Sequence, residues 1–414
     1  MSIKLRLTIL NFLQFFVFGT WLLSFGKYMG ATLHFSGTEI GAVFMTLGIA
    51  SLFMPAIMGI IADRWTGPNK LFAASHIIGA VFLYLISLQT NFDGLYLFTL
   101  LYLMFYMPTI GLDNTISYCI MENHKMDIVK EFPPIRVWGT IGFIIAVWIT
   151  DYFGWGVNIN QFWFAGIASL VLGIYTFLLP NCPIEKNADK KTLAQALGLD
   201  AFVLFKDKKM AVFFIFSMLL GAALQVTNMW GEAFLHDFTN SFKDTFIVKN
   251  NGIIMSISQI SETVFILTIP FFLKRFGIKK VMLMSMFAWF LRFALFGIGN
   301  PVGIGAAFLI LSMIIYGMAF DFFNISGSLF VELEAKPKIR ASAQGLFIIM
   351  TNGLGAIIGA YGSGYIIDLY TEKGIKDWTS IWFIFAAYAF VIGILFALLF
   401  KYKHNPEKIK EIKH

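Results

Sequence analysis

The sequence predicts an all-α membrane protein of twelve transmembrane helices, arranged as two halves of six helices each. Three observations lead to this fold class. Of the 414 residues, 58% are hydrophobic and only 13% are charged, whereas soluble domains carry about 25% charged residues. The chain contains twelve apolar stretches, each with a length close to the roughly 20 residues that a membrane-spanning helix needs. Polar landmarks also recur between the two halves of the chain at a nearly constant offset.

Six apolar stretches precede one hydrophilic segment, and six follow it. The first set is predicted at 6–29, 39–62, 71–89, 94–120, 134–153 and 161–180, and the second at 210–236, 247–273, 280–298, 303–331, 339–368 and 378–400. These positions predict a first bundle at 1–180, a cytoplasmic linker at 181–209 with a surface helix over 192–205, a second bundle at 210–401 and a tail at 402–414. The first stretch has no small-residue cleavage site, so we expect a retained helix and not a signal peptide.

The placement of lysine and arginine predicts the orientation in the membrane. With both termini and the even-numbered hairpin loops on one side, that side holds 25 of the 31 basic residues and the opposite side holds five. Both termini are therefore expected in the cytoplasm. The same asymmetry explains the net charge of +7 without a nucleic acid partner. The remaining basic residue, Arg292, lies inside a predicted span, where we expect a structural pairing with an acid.

The two halves share polar landmarks in the same order. Four pairs recur at offsets of 204 to 211 residues: Gln14 with Gln225, Arg64 with Arg275, Asn114 with Asn324, and Arg136 with Arg340. Each match alone is weak, but four in order indicate two six-helix halves related by a parallel repeat.

The most informative stretch lies in the tenth predicted span, where Asp321 is surrounded by apolar residues. A charge at that depth costs about 2.5–3.5 kcal/mol on insertion scales, so an acid there marks a pathway or a site by default. Tyr316, Phe320 and Asn324 are spaced i, i+4, i+8 and share one helix face. Asp321 adjoins Phe320, so one broad face carries two rings, an amide and an acid.

Three other predicted spans carry polar residues at helical spacing. Gln225 and Asn228 are i, i+3 in the seventh span, and Gln259 and Glu262 are i, i+3 in the eighth. Arg136, Thr140 and Phe143 are i, i+4, i+7 in the fifth. The first two pairs lie near the midpoints of their spans, where transporter sites belong. Arg136 reaches that depth only if its helix is tilted or begins earlier than predicted.

Carboxamides both donate and accept hydrogen bonds, and aromatic rings can stack on a flat base, so these residue types suit a neutral polar solute. No nucleotide-binding loop and no nucleophile–base constellation is present, which argues against ATP-driven transport and against an enzyme. Cys119 and Cys182 are too few for a disulfide framework and lack metal-ligand spacing. No cofactor and no metal is expected.

Gly59-Ile-Ile-Ala-Asp63-Arg64 follows the second predicted span and resembles the G-x-x-x-D-R-x-G loop motif of the major facilitator superfamily. The second glycine of that pattern would fall at Thr66, and Gly67 comes one residue late. We expect Gly59 to permit close helix approach and Asp63 to face a helix N-terminus. The resemblance assigns Gly59, Asp63 and Arg64 to a conformational loop motif and implies the major facilitator fold.

Longer stretches resemble the bacterial nucleoside:proton symporters. They are Phe132-Pro-Pro-Ile-Arg136-Val-Trp-Gly-Thr140-Ile-Gly-Phe143, Phe213-Phe-Ile-Phe-Ser-Met-Leu-Leu-Gly221, Ile254-Met-Ser-Ile-Ser-Gln259-Ile-Ser-Glu262 and Phe320-Asp-Phe-Phe-Asn-Ile-Ser-Gly327. This resemblance implies proton-driven nucleoside uptake, of uridine, adenosine or similar, by a monomer among the lipids of the bacterial inner membrane. It also implies substrate contacts at Arg136, Thr140, Phe143, Gln225, Asn228, Gln259, Glu262, Tyr316 and Phe320, with Asp321 alongside.

As a mechanism, we expect Asp321 to carry the proton, with Arg136 as its partner in the unloaded state, and Glu262 to bind substrate. The two acids are interchangeable in these roles on the sequence alone. The roles of Asp113 and Glu232 stay open. The alternative within transport is a sugar:proton symporter of the same fold. A non-transporting receptor is disfavoured because the tail is too short for an output domain.

Overall fold

The computed structural model describes residues 1–183 and 198–402, and most of these residues are helical. The predicted surface helix over 192–205 lies partly outside the described residues, and its described part belongs to the 3₁₀ helix Leu199–Lys206. The predicted tail lies outside them beyond Tyr402. The chain divides into two compact units. Unit 1 comprises Met1–Phe35 and Ala42–Leu197, and unit 2 comprises Ser36–Gly41 and Gly198–His414.

The helices from the N-terminus to residue 183 are α1 Ile3–Gly19, α2 Phe25–Ala31, α3 Gly37–Ile61, α4 Pro68–Ser87, α5 Phe92–Asn123, α6 Ile128–Tyr152 and α7 Asn160–Thr176. A π-helical turn, Ala62–Thr66, follows α3, and a 3₁₀ turn, Trp155–Val157, precedes α7. One core cluster of unit 1 is largely aliphatic and includes Leu7, Ile116 and Leu172, none of which has exposed surface.

One predicted span and one predicted boundary in unit 1 differ from the structure. The span predicted at 6–29 is interrupted between Gly19 and Phe25. There the hydroxyl of Thr150 donates to the carbonyl of Thr20 (3.1 Å), a tertiary hydrogen bond that supports the irregular backbone. The span predicted to begin at residue 134 begins at Ile128 instead, with Pro133 and Pro134 inside the helix. Arg136 is expected to reach the depth of a site if its helix is tilted or begins earlier than predicted, and the second condition is met.

The helices of the second part of the chain are α8 Lys208–Asp237, α9 Thr239–Phe242, α10 Phe246–Lys249, α11 Asn251–Ile298, α12 Gly303–Glu334, α13 Arg340–Ile348, α14 Ala356–Leu369 and α15 Trp378–Leu399. A 3₁₀ turn, Pro337–Ile339, precedes α13, and a π-helical stretch, Ile349–Gly355, joins α13 to α14. Aromatic side chains dominate the core of unit 2, with Trp382 packing on Phe234, Phe293 and Phe296 at ring-centroid distances of 5.4, 5.8 and 4.7 Å.

Helix α11 consists of two helices that meet at Gly277. This glycine has φ +76° and ψ 166°, in a left-handed region that other residues rarely adopt. The two segments, 251–276 and 278–298, fold back on each other. A hydrogen bond from Arg292 to Ser258, 34 residues earlier, shows this proximity (3.4 Å). A straight helix of 48 residues would be about 72 Å long, more than twice the roughly 30 Å of the hydrocarbon core.

The fold contains one feature outside the all-α expectation in the described residues, a short antiparallel hairpin. Its strands are β1 Thr371–Glu372 and β2 Ile375–Lys376. The turn residues Lys373 and Gly374 both have positive φ, as a type I′ turn requires.

Nine helical stretches in the described residues are long and apolar enough to cross a membrane. Two facts keep this number below twelve. Helices α1 and α7, with 17 residues each, are too short to be included, and α11 is counted once although it contains two helices. The protein is therefore a multi-pass, mainly helical membrane protein.

The two cysteines form a disulfide bond that the sequence did not predict. Cys119, near the end of α5, is joined to Cys182, after α7, with Cα atoms 6.2 Å apart. Asn69 supports the same segment from α4. Its side chain donates to the carbonyl of Pro180 (3.1 Å) and accepts from the backbone N–H of Cys182 (3.1 Å).

Candidate functional site

Seven of the predicted site residues lie on three helices of unit 2. Helix α8 carries Gln225 and Asn228, segment 251–276 carries Gln259 and Glu262, and α12 carries Tyr316, Phe320 and Asp321. The side chains of Gln225, Tyr316 and Asp321 are buried, at 3%, 5% and 4% exposure, and the other four are half-buried. All seven side chains are thus at least partly withdrawn from the surface of unit 2.

The close crossing of α12 and segment 251–276 depends on Gly317. A Cβ atom at this position would lie 2.6 Å from the carbonyl oxygen of Ser261 and 2.8 Å from the backbone nitrogen of Glu262. The hydroxyl of Ser261 also donates to the carbonyl of Ile314 on α12. Gly317 therefore lets the helix that carries Tyr316 and Asp321 approach the backbone next to Glu262.

Three buried polar atoms of this group have no hydrogen-bond partner among the described residues. They are Nε2 of Gln225, Oε1 of Gln259 and Oδ2 of Asp321. A buried polar group left without a partner costs about 1–3 kcal/mol, so such a concentration is unfavourable for stability alone. One donor and two oxygens are available here to a polar guest.

Aromatic rings lie on the same helices as the predicted site residues. The rings of Tyr316 and Phe320 are stacked, with centroids 5.9 Å apart and planes within 10°, and Trp289 meets Tyr316 edge-on. Trp289 and Phe320 also line a pocket within unit 2. Its lining includes Asn324 and Asn352, and Asn352 belongs to the π-helical stretch, a type of distortion that is frequent at functional sites.

The other three predicted substrate residues lie in unit 1, on one face of α6. Arg136, Thr140 and Phe143 are all half-buried. The guanidinium carbon of Arg136 lies 4.0 Å from the centroid of the Phe15 ring on α1, a cation–π contact. Helices α1 and α6 approach closely at Gly19, where a Cβ atom would lie 2.5 Å from the carbonyl oxygen of Phe143.

Comparison with known proteins identifies the family. Residues 1–405 match the family model described as the nucleoside H⁺ symporter. The chain belongs to the nucleoside H⁺ symporter family. Among its relatives, the nucleoside permease NupG of Escherichia coli (strain K12) is 53% identical over 406 residues, which cover 98% of this chain and 97% of that protein. The xanthosine permease of Escherichia coli (strain K12) is 50% identical over 412 residues, 99% of each chain.

A crystal structure of the nucleoside transporter NupG matches this fold with a TM-score of 0.93 at 53% identity, over 97% of this chain and 100% of that one. The family resemblance expected from the sequence is thereby confirmed. The symporter is a membrane transporter and not an enzyme.

The structure of the loop motif explains why its second glycine comes one residue later than in the superfamily pattern. Asp63 and Arg64 lie, exposed, in the π-helical turn Ala62–Thr66. A π turn contains one residue more than an α turn, and Gly67, with φ +77°, ends it by donating from its backbone N–H to the carbonyl of Ala62 (3.0 Å). The expected reason for Gly59 is wrong in this structure, since a Cβ atom there meets no heavy atom of the described chain within 4 Å.

Three buried groups of the symporter lie outside the predicted site. Asp113 on α5 has no exposed surface, and neither of its carboxyl oxygens has a hydrogen-bond partner among the described residues. The sequence signal is the same as for Asp321, an acid in an apolar stretch. His76 lies between Ser169 (3.0 Å from Nδ1) and Gln14 (2.8 Å from Nε2), so both of its nitrogens are engaged. Glu232 on α8 is buried.

In the described part of the chain, no group of three or more histidine, cysteine or carboxylate side chains could hold a metal ion. The predicted site residues offer amides, carboxyls, a guanidinium, a hydroxyl and aromatic rings.

Proposed function

We propose that this symporter takes up nucleosides across the bacterial inner membrane together with protons. The observation that carries the proposal is that unit 2 holds three buried polar atoms without a hydrogen-bond partner among the described residues, on Gln225, Gln259 and Asp321, and a stacked pair of rings, Tyr316 and Phe320. A nucleoside offers a flat base for stacking and a ribose rich in hydroxyls for hydrogen bonding. The names of the relatives, a nucleoside permease and a xanthosine permease, support the same substrate class.

The substrate residues divide by chemistry. Phe143, Tyr316 and Phe320 supply stacking surfaces, worth about 1–3 kcal/mol per base in nucleic-acid-binding proteins. Polar contacts to the ribose and the base edges come from the remaining residues, which are Arg136 and Thr140 in unit 1 and Gln225, Asn228, Gln259 and Glu262 in unit 2.

Asp321 is the main proton carrier in this proposal, and Glu262 mainly binds substrate. An acid inside a membrane is costly while charged, so protonation lowers the cost of Asp321 and can be coupled to occupation of the site. The Oδ2 atom of Asp321 lacks a hydrogen-bond partner in the described chain, which leaves it available to a proton or a guest. Mutation of Asp321 and Glu262 decides which of the two acids carries the proton and which binds substrate.

The proton gradient supplies the energy for uptake. One charge that crosses 100 mV releases about 2.3 kcal/mol, enough for roughly fiftyfold accumulation of a neutral solute. The carrier exposes its site alternately to the two sides of the membrane, and the motif of Gly59, Asp63 and Arg64, at the end of α3 and in the π-helical turn after it, takes part in this change. Nucleosides, protons and membrane lipids are its partners, and it acts as a monomer.

We propose that the longer helices of the described chain form twelve spans. The first combines α1 and α2 across the break at 20–24, the eighth and ninth are the two parts of α11, and the eleventh runs from α13 through the π-helical stretch to α14. Both termini are then cytoplasmic. The domains are a six-helix bundle at 1–180, a linker at 181–209, a second six-helix bundle at 210–401 and a tail at 402–414.

Uptake of labelled uridine into proteoliposomes tests the proton assignment. Asp321→Asn keeps the size of the side chain and removes its titratable proton. We expect this variant to retain uridine counterflow and to lose accumulation driven by a pH gradient. Asp244→Asn is a matched control, because Asp244 is an exposed acid that pairs only with Lys249 among the described residues. Normal, pH-dependent accumulation by Asp321→Asn would refute the role of Asp321.

Competition by a panel of nucleosides and sugars tests the substrate class. Unlabelled nucleosides should displace labelled uridine, and glucose or xylosides should not. Competition by sugars with no effect of nucleosides would favour the sugar:proton symporter instead.

A further inference from the structure

Arg292 is a buried cation that the proposed mechanism does not use. It lies in segment 278–298 and has no exposed surface. Its expected pairing with an acid is wrong. The contacts of its guanidinium in the described residues are hydroxyls, a backbone carbonyl, a thioether sulfur and aromatic rings.

The guanidinium forms hydrogen bonds to three helices. Its Nε donates to the hydroxyl of Thr227 on α8 (3.4 Å), and its Nη1 donates to the hydroxyl of Ser258 on segment 251–276 (3.4 Å) and to the carbonyl of Ser312 on α12 (2.7 Å). The hydroxyl of Ser312 in turn donates to the carbonyl of Arg292 (2.9 Å). Only arginine presents five N–H donors in a rigid planar fork.

Each of these partners adjoins a proposed substrate residue. Thr227 immediately precedes Asn228, and Ser258 immediately precedes Gln259. Ser312 lies one turn before Tyr316 on α12. The single guanidinium therefore connects the three helices that carry all the substrate residues of unit 2.

The same group also fixes an aromatic ring of the site. The guanidinium carbon of Arg292 lies 4.7 Å from the centroid of the Tyr316 ring, within the range of a cation–π contact. Tyr316 is stacked on Phe320 and meets Trp289 edge-on. The guanidinium of Arg292, the ring of Tyr316 and the ring of Phe320 therefore contact one another in sequence, and the two rings are the proposed stacking surface for the base.

We propose that Arg292 is a positioning residue for the substrate site. It sets the spacing of α8, segment 251–276 and α12, and it holds the Tyr316 ring in its orientation, without contacting the substrate and without carrying the transported proton. This inference rests on the proposed nucleoside uptake. It predicts that changes at Arg292 affect substrate affinity more than turnover and leave the pH dependence unchanged.

The test compares Arg292→Lys and Arg292→Met with wild type in proteoliposomes, using labelled uridine. Lysine keeps the charge and loses the planar fork, and methionine keeps an unbranched chain and loses both. We expect each variant to raise KM about tenfold, to leave kcat within about threefold, and to keep the wild-type pH profile of uptake. Tyr388→Phe is the matched control, since it removes one interhelical hydrogen bond in unit 2, from α15 to the carbonyl of Leu219 (2.8 Å).

A second pair of variants applies if the arginine variants do not fold, which size-exclusion chromatography in detergent would show. Thr227→Val and Ser258→Ala each remove one acceptor of the guanidinium, and together they should raise KM about threefold. A KM within twofold of wild type in folded variants, or a shifted pH profile, overturns the positioning role. Absence of nucleoside uptake by the wild-type protein overturns the proposed function itself, and the two failures are thus distinguished.

Discussion

The helix crossing at Gly317 gives the sharpest prediction about the site. Replacement by alanine adds one Cβ atom, which would lie 2.6 Å from the carbonyl oxygen of Ser261 and 2.8 Å from the backbone nitrogen of Glu262. Both neighbours are backbone atoms, so no side-chain rotation can relieve the contact and the helices must separate. Overpacking of this kind costs about 1–3 kcal/mol.

The separation acts directly on the proposed site, because Tyr316 and Asp321 lie on one side of the crossing and Glu262 on the other. A misplacement of about 1 Å can reduce a rate about 100-fold. We expect Gly317→Ala to lower kcat/KM for uridine by about tenfold to 100-fold and to lower the unfolding temperature. The measurements are initial rates in proteoliposomes and intrinsic-fluorescence melting in detergent.

Gly362→Ala is the control for this experiment. Gly362 also lies in a helix of unit 2, but a Cβ atom there meets no described heavy atom within 4 Å. Alanine is about 1 kcal/mol better than glycine in a helix interior, so this variant should be as stable as wild type or more stable. Wild-type uptake by Gly317→Ala would refute the reasoning that this crossing sets the geometry of the site.

Three further predictions concern acids elsewhere in the chain. The carboxylate of Asp368 accepts hydrogen bonds from the backbone N–H groups of Gly37 (2.5 Å) and Thr38 (2.7 Å). Asp368→Asn leaves only one acceptor oxygen and should therefore lower the unfolding temperature. Equal unfolding temperatures of variant and wild type would contradict this. The hydroxyl and backbone N–H of Ser380 hold the pKa of Asp377 below its usual range, so the stabilising cap is present at neutral pH and is lost as the pH falls through that lowered pKa. Melting of wild type and Asp377→Ala should therefore differ at pH 7 and converge in acid, and a constant difference would count against the cap. Asp113→Leu should raise the unfolding temperature, because it removes two buried oxygens that have no hydrogen-bond partner in the described chain and cost about 1–3 kcal/mol each. A lower unfolding temperature would show that the electrostatic interaction of this carboxyl with Arg136 outweighs that cost.

The composition of the site follows from helical periodicity, whereas its geometry does not. The spacing of Gln225 with Asn228, and of Gln259 with Glu262, is enough to place each pair on one helix face. Nothing in that spacing states how closely two faces approach. The approach at Gly317 depends on a residue that has no side chain, and one glycine among 36 carries no distinguishing signal in the sequence.

Two of the wrong predictions share a physical cause, which is the satisfaction of polar groups by distant parts of the chain. Hydropathy extends the first span through Thr20, where Thr150 supports a break in the helix. Charge in an apolar span suggests an acid as the partner of Arg292, but hydroxyls and one carbonyl from three other helical segments surround it. Such partners lie 20 to 130 residues away in sequence, so no local pattern reveals them.

The hairpin at 371–376 offers a practical handle. Lys373 and Gly374 form an exposed tip on two strands of two residues each, and exposed tips of this kind accept inserted sequence readily. A fluorescent reporter or an affinity tag inserted between these two residues should therefore leave the fold intact. The junction at Gly277 differs, because a single residue with left-handed backbone joins two helices there. Engineering of this carrier should thus begin at the hairpin.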